Sequence, residues 1–246
     1  MKASVAGATR ELGGQAEVWT IRIGAWAGIV GSLVAMVGNL LHPATPSGDP
    51  EGVARTIAES DIWIADHLAI VLGLILMLGG LIAIGRSITI GVPGAVARLG
   101  QVAAVAGITV GLVLTIVDGV AAKHLADAWE TAPPEEAAAA LRVVLAEETI
   151  NFALAALFNV VFAGVTFILF GLAVAWSDQF PRWSGWTVVA AGLGSVGVGL
   201  IQAAAGESTP VTRALTIVFP TVITLWVVLM GVLVLRTLPP MTTRKE

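Results

Sequence analysis

The sequence predicts an all-α fold: a polytopic membrane bundle of six transmembrane helices with two short extracytoplasmic helices. Three observations carry that prediction. The 246-residue chain is 57% hydrophobic and 12% charged, about half the charged fraction of a soluble domain. Its apolar residues gather into blocks of about 20, the length that crosses the roughly 30 Å hydrocarbon core. Backbone polar groups in lipid must be paired within the segment, so these blocks are helices. The mean hydropathy of +0.90 agrees.

The first 22 residues are polar, with Arg10, Glu11 and Glu17, and lack the order of a cleaved signal peptide. They read as a cytoplasmic tail, 1–22, ahead of a six-helix domain at 23–237 and a second tail at 238–246. Span one covers Ile23–Leu41, where Gly24 and Gly28 stand one turn apart and suit close helix contact. The loop 43–61 carries a helix start, since Asp49 can cap, Pro50 takes the first helical position and Glu51 follows. Span two is Ile62–Ile84, and span three is Leu99–Val120 with the pair Gly107 and Gly111. In the loop 125–149, Thr131 or a neighbour caps before Pro133 and Pro134, and Ala137–Leu145 has high helix propensity. Spans four, five and six are Ile150–Trp176, Trp186–Ala205 and Val211–Leu235.

Basic residues set the expected orientation. With the N-terminus inside, the inner segments hold nine of the 13 Lys and Arg and the outer segments hold 13 of the 17 acids. Both termini are therefore expected in the cytoplasm, at the cell membrane. Trp19, Trp26, Trp176, Trp183 and Trp186 fall near the inner interface, and Trp63 and Trp129 near the outer one.

All three histidines fall at the outer end of a span: His42 closes the first, His67 opens the second and His124 follows the third. Other polar groups share that level. Asn39 precedes His42 by three residues, Asp66 precedes His67, and Asp118 sits in the third span among Val117, Gly119 and Val120. Glu147, Glu148 and Asn151 open the fourth span, Asn159 lies two turns deeper, and Gln202 and Arg213 lie near the outer ends of the last two. An ionisable group within a span is a functional hypothesis by default. Imidazole with carboxylate suits zinc, copper, iron or nickel, and facing histidines suit haem. The expected site is thus His42, His67 and His124 as ligands of a transition metal ion or haem. Asp118 is ligand or orienter, and Asn39, Asp66, Glu148, Asn151, Gln202 and Arg213 support it.

Bland readings stand beside that one. Asp118 pairs with Lys123 or Arg213 and fixes packing; Glu135, Glu136, Glu147 and Glu148 form a solvated face; the phenylalanines from Phe152 to Phe170 pack or face lipid. The absence of cysteine excludes thiolate metal sites and thiol catalysis. Gly192, Gly194 and Gly197 spell G-x-G-x-x-G, but inside an apolar span and without a preceding strand, so the string is a packing feature. No Walker motif, nucleophile elbow or basic nucleic-acid patch is present.

The layout of a first span, then a loop reading Gly48-Asp49-Pro50 and Thr56-Ile57-Ala58-Glu59-Ser60, then a long apolar span resembles an uncharacterised bacterial six-helix membrane family of unknown function. That resemblance covers about the first 100 residues and implies a membrane bundle without an activity. Three functions stay open: metal or haem binding at an outward-facing site, an accessory subunit or homo-oligomer packed through small-residue helix faces, and a small-solute or proton-coupled transporter. The lipid bilayer is the one partner common to all three.

Overall fold

The structure is a computed structural model that describes residues 2–46, 48–206 and 209–240. Among them are seven helices and no strand: α1 (Lys2–Leu41), α2 (Pro50–Glu59), α3 (Trp63–Ser87), α4 (Gly91–Glu130), α5 (Pro134–Trp176), α6 (Arg182–Ala205) and α7 (Pro210–Thr237). All but α2 contain a stretch long and apolar enough to cross a membrane. The chain is a multi-pass membrane protein. Each span packs on its sequence neighbour, and α7 returns to α1, so the six close a ring.

Lipid and core faces separate by helical periodicity. On α1 the exposed Ile23, Trp26, Val30, Leu33 and Val37 recur every three or four residues. The opposite face carries Gly24, Gly28, Gly31 and Gly38 against α3. A Cβ on Gly28 would meet the Cα of Gly80, and one on Gly73 would meet Ala35, so the two backbones touch. Gly107 and Gly111 likewise admit Phe162 and Phe158 of α5, as the sequence predicts. In the G-x-G-x-x-G string, Gly192 meets Ile168 and Gly194 meets the Phe219 ring, and nothing lies near Gly197. Phe162, Phe167 and Phe170 are buried with Trp226 and Met230, which resolves the phenylalanines of α5 as packing residues. The Trp226 indole donates to the Ser184 carbonyl at 3.0 Å.

Two expectations change. The polar N-terminal stretch is helical from Lys2 and continues into the first span without a break. The tail beyond Pro240, with Arg244 and Lys245, lies outside the described residues. The second short outer helix is not a separate element. Residues from Pro134 onward are helical, but they run straight into the fourth span, and α4 runs on to Glu130. These helices of 40 and 43 residues extend roughly 60 Å, about twice the hydrocarbon core. Their ends form a hairpin against which α2 packs. Thr131 closes α4 instead of capping α5, whose first turn begins at Pro133 and Pro134. The first outer helix forms as expected: Asp49 accepts from the Gly52 amide at 3.0 Å and Pro50 opens α2.

Replacing Gly80 with Val drives two methyl groups into the Gly28 backbone, which cannot yield. We expect a loss of about 1–3 kcal/mol, read as a lower thermal midpoint in detergent, whereas Gly197→Ala leaves the midpoint unchanged or slightly higher.

Candidate functional site

The histidine end of the bundle is built by the last turn of α1, the first turns of α3, the overhang of α4 and α5, and α2 lying across them. Trp63 organises it. Its position at the start of α3 was expected to be interfacial, yet it is 1% exposed. Its ring sits in a small cluster with Ile57, Ala122 and Ala126 between α2 and α4. The indole N–H donates to the backbone oxygen of Asp118 at 2.8 Å. That residue lies in a wide turn, Val117–Ala121, set within α4; such turns recur at functional sites. Lys123, one turn beyond, donates from Nζ to the Ala58 carbonyl and to Asp127, each at 2.6 Å. It thereby ties the C-terminal end of α2 to α4 and is not the partner of Asp118.

His67 follows Trp63 by one turn and is 2% exposed. Its Nδ1 donates to the Trp63 carbonyl at 2.6 Å and lies 2.8 Å from Asp66 Oδ1. Its Nε2 lies 3.2 Å from Asp118 Oδ2. Every group facing the ring is an acceptor, so both nitrogens are satisfied only when each carries a proton or a cation. The buried Oδ2 of Asp66 has no partner. Gly119 makes the approach of α4 to this ring possible, for a Cβ there would fall on His67 Cβ and Cγ.

His42 lies just past the end of α1, and the glycine contact of α1 with α3 carries it over the same ring. Its centroid is 4.9 Å from that of His67, edge-on, and 4.6 Å from that of Trp63. Its Nδ1 faces the Pro43 carbonyl at 2.9 Å. That contact places the ring proton on Nδ1 and leaves Nε2 a free lone pair. One donor atom from each of His42, Asp66 and His67 lies within 4.8 Å of the others.

The remaining expected residues fare differently. Asp118 belongs to the site through its contact with His67. His124 is exposed. It stands six residues beyond Asp118, past the wide turn, and does not join the donor group around His67. Asn39 is exposed and bonds back to the Ala35 carbonyl at 2.9 Å; the shared-face rule fails because His42 is already beyond the helix. Gln202 accepts from Asn159 at 2.8 Å, a buried bond between α5 and α6. Arg213 is exposed on α7. Glu135 and Glu136 are exposed as expected, but Glu147 is buried and Glu148 half-buried, so the solvated face does not extend to them. The Trp63 and Glu147 roles were missed in the sequence. Trp63 precedes His67 by four residues and Glu147 follows the apolar Val144 by three, spacings that put each pair on one helix face.

Because Gly119 abuts the imidazole itself, Gly119→Ala displaces the ring or separates α4 from α3. We expect a loss of about 1–3 kcal/mol and, at matched temperature, a changed His67 ring signal in NMR, with Gly14→Ala as the unaffected control. Comparison with known families, with curated proteins and with solved structures finds no match for this chain.

Proposed function

We propose that this protein binds a transition metal ion at its histidine end, through His42, Asp66 and His67, with Asp118 orienting the His67 ring. The observation that carries the reading is that one donor atom from each of the buried Asp66 and His67 and the half-buried His42 lies within 4.8 Å of the others. Ligand distances near 2 Å set donor separations of about 3–4 Å, so a small closing movement completes the site. Two imidazoles and a carboxylate suit zinc, copper, iron or nickel. Supporting it, His42 already offers a bare Nε2, and the buried Oδ2 of Asp66 has no hydrogen-bond partner. For an ion to bind here, His67 would give up the Nδ1 proton that it shares between the Trp63 carbonyl and Asp66, while Nε2–H stays on Asp118. That is the carboxylate–histidine–metal arrangement in which the second carboxylate fixes the tautomer and the ring angle.

Haem is less well supported. Edge contact between the two rings at 4.9 Å leaves no room for a macrocycle between them. The accessory-subunit reading relied on small-residue faces, and those of Gly24, Gly28, Gly107 and Gly111 are used inside the bundle. A transport path would continue inward from Asn159 and Gln202, but these bond to each other above the Phe162, Phe167 and Phe170 core. The orientation with this end outside and both termini cytoplasmic rests on the distribution of basic residues, and the resemblance to the uncharacterised six-helix family adds no activity. One second reading has its own support: the hydrogen bonds of His67 to Asp66 and Asp118 are complete with protons alone, which makes the group a packing device.

Metal analysis separates the two. We expect about one zinc or comparable ion per chain after equilibration, and a thermal midpoint that falls on chelation and returns on re-addition. His42→Ala abolishes the binding while leaving the fold intact. Asp118→Asn weakens it by about 10–100-fold, and His124→Ala changes nothing. A metal-free protein whose midpoint ignores zinc, copper, iron and nickel overturns the reading in favour of the packing device.

A further inference from the structure

Beside the imidazole group stands a second set of polar atoms that it does not use. Glu147 on α5 is 7% exposed, and neither carboxylate oxygen has a hydrogen-bond partner. One turn on, the side-chain oxygen of Asn151 is also buried and unpartnered, and residues four apart share a helix face. Glu148 is the next residue, and Asp118 stands on the wide turn of α4 against which this helix packs. The α5 overhang packs there against the wide turn of α4 and against α2. Among the described residues no lysine or arginine pairs with Glu147, Glu148 or Asp118. Lys123 is held by Ala58 and Asp127.

A charged carboxylate buried without a partner is costly, and native proteins pair such a group, coordinate an ion with it or keep it protonated. Here the available donors are all oxygen: two from Glu147, one from Asn151, and the carboxylates on either side. Oxygen donors of this kind select calcium, magnesium or manganese over the softer metals that imidazole prefers.

We propose that Glu147, the Asn151 side-chain oxygen and Asp118 hold a hard divalent cation of the calcium or manganese kind, with Glu148 adding charge. This site is distinct from the imidazole group in its donors and does not rest on that group binding metal. Asp118 lies between the two, one of its oxygens being 3.2 Å from His67 Nε2.

The test is a titration of the purified chain in detergent with Mn²⁺, followed by EPR, with Ca²⁺ as competitor. We expect about one Mn²⁺ per chain, displaced by excess Ca²⁺ and retained in His42→Ala. Glu147→Gln and Asn151→Leu each weaken it by about tenfold or more. Circular dichroism checks that both variants keep their helix content; if Glu147→Gln does not fold, Asn151→Leu decides. Binding that is absent at millimolar Mn²⁺, or unchanged in a folded variant, overturns the proposal. Binding lost in His42→Ala also overturns it, since the ion then belongs to the imidazole group, whose own reading survives.

Discussion

Backbone contact between α1 and α3 governs everything at the histidine end. Gly24, Gly28 and Gly31 meet the backbone of Gly79, Gly80 and Gly73, and Gly38 meets Ile70. In lipid such contact replaces the hydrophobic driving force that water would supply, because hydrocarbon tails are as apolar as leucine. The chain leaves α1 at Leu41 and re-enters at Trp63, so the closeness of the two axes decides whether His42 can reach His67. Larger residues along the seam would move the first ring away from the second, and the donor group would open. The seam thus acts on the site from far below it, through rigid helices.

His67 shows how a polar group is held at this depth. It is nearly fully buried, yet its two nitrogens meet two carboxylates and a carbonyl. Removing one partner of such a buried set typically costs about 3–5 kcal/mol, because the remaining charge is left uncompensated. The three acids differ in consequence. Asp66 and Asp118 are held by the ring, while Glu147 has nothing. The same end of the bundle therefore contains a network complete but for one oxygen of Asp66 beside a carboxylate with no partner at all.

Much of this was legible in the sequence. Six apolar blocks against a charge-poor background gave the spans, because lipid leaves the backbone no alternative. Asp49-Pro50-Glu51 gave α2, because capping is local chemistry. The clustering of histidine and acid at one level followed from alternating helix direction alone. What could not be read was rotation. His124 and Asn39 lie at the right height and face the wrong way, the first because the wide turn at Val117–Ala121 and the helical twist carry it past the seam, the second because the helix has ended before His42. Glu147 was invisible for a related reason: a carboxylate in a run with Glu135, Glu136 and Glu148 looks solvated until α2 and the α4 overhang are placed over it. The extent of α4 and α5 was also concealed, since their overhangs are polar enough to resemble loops.

Helix α2 is held more lightly than any span. It buries Ala54 and Ile57, leans on Trp63, Ala122 and Ala126, and has its C-terminal end tethered by one lysine. Local opening draws on the elements with the fewest buried contacts, and α2 is a ten-residue helix with two buried residues. Its release would bare Trp63 without disturbing the glycine seam beneath, and the Lys123 bond to the Ala58 carbonyl is the polar contact such an opening would break.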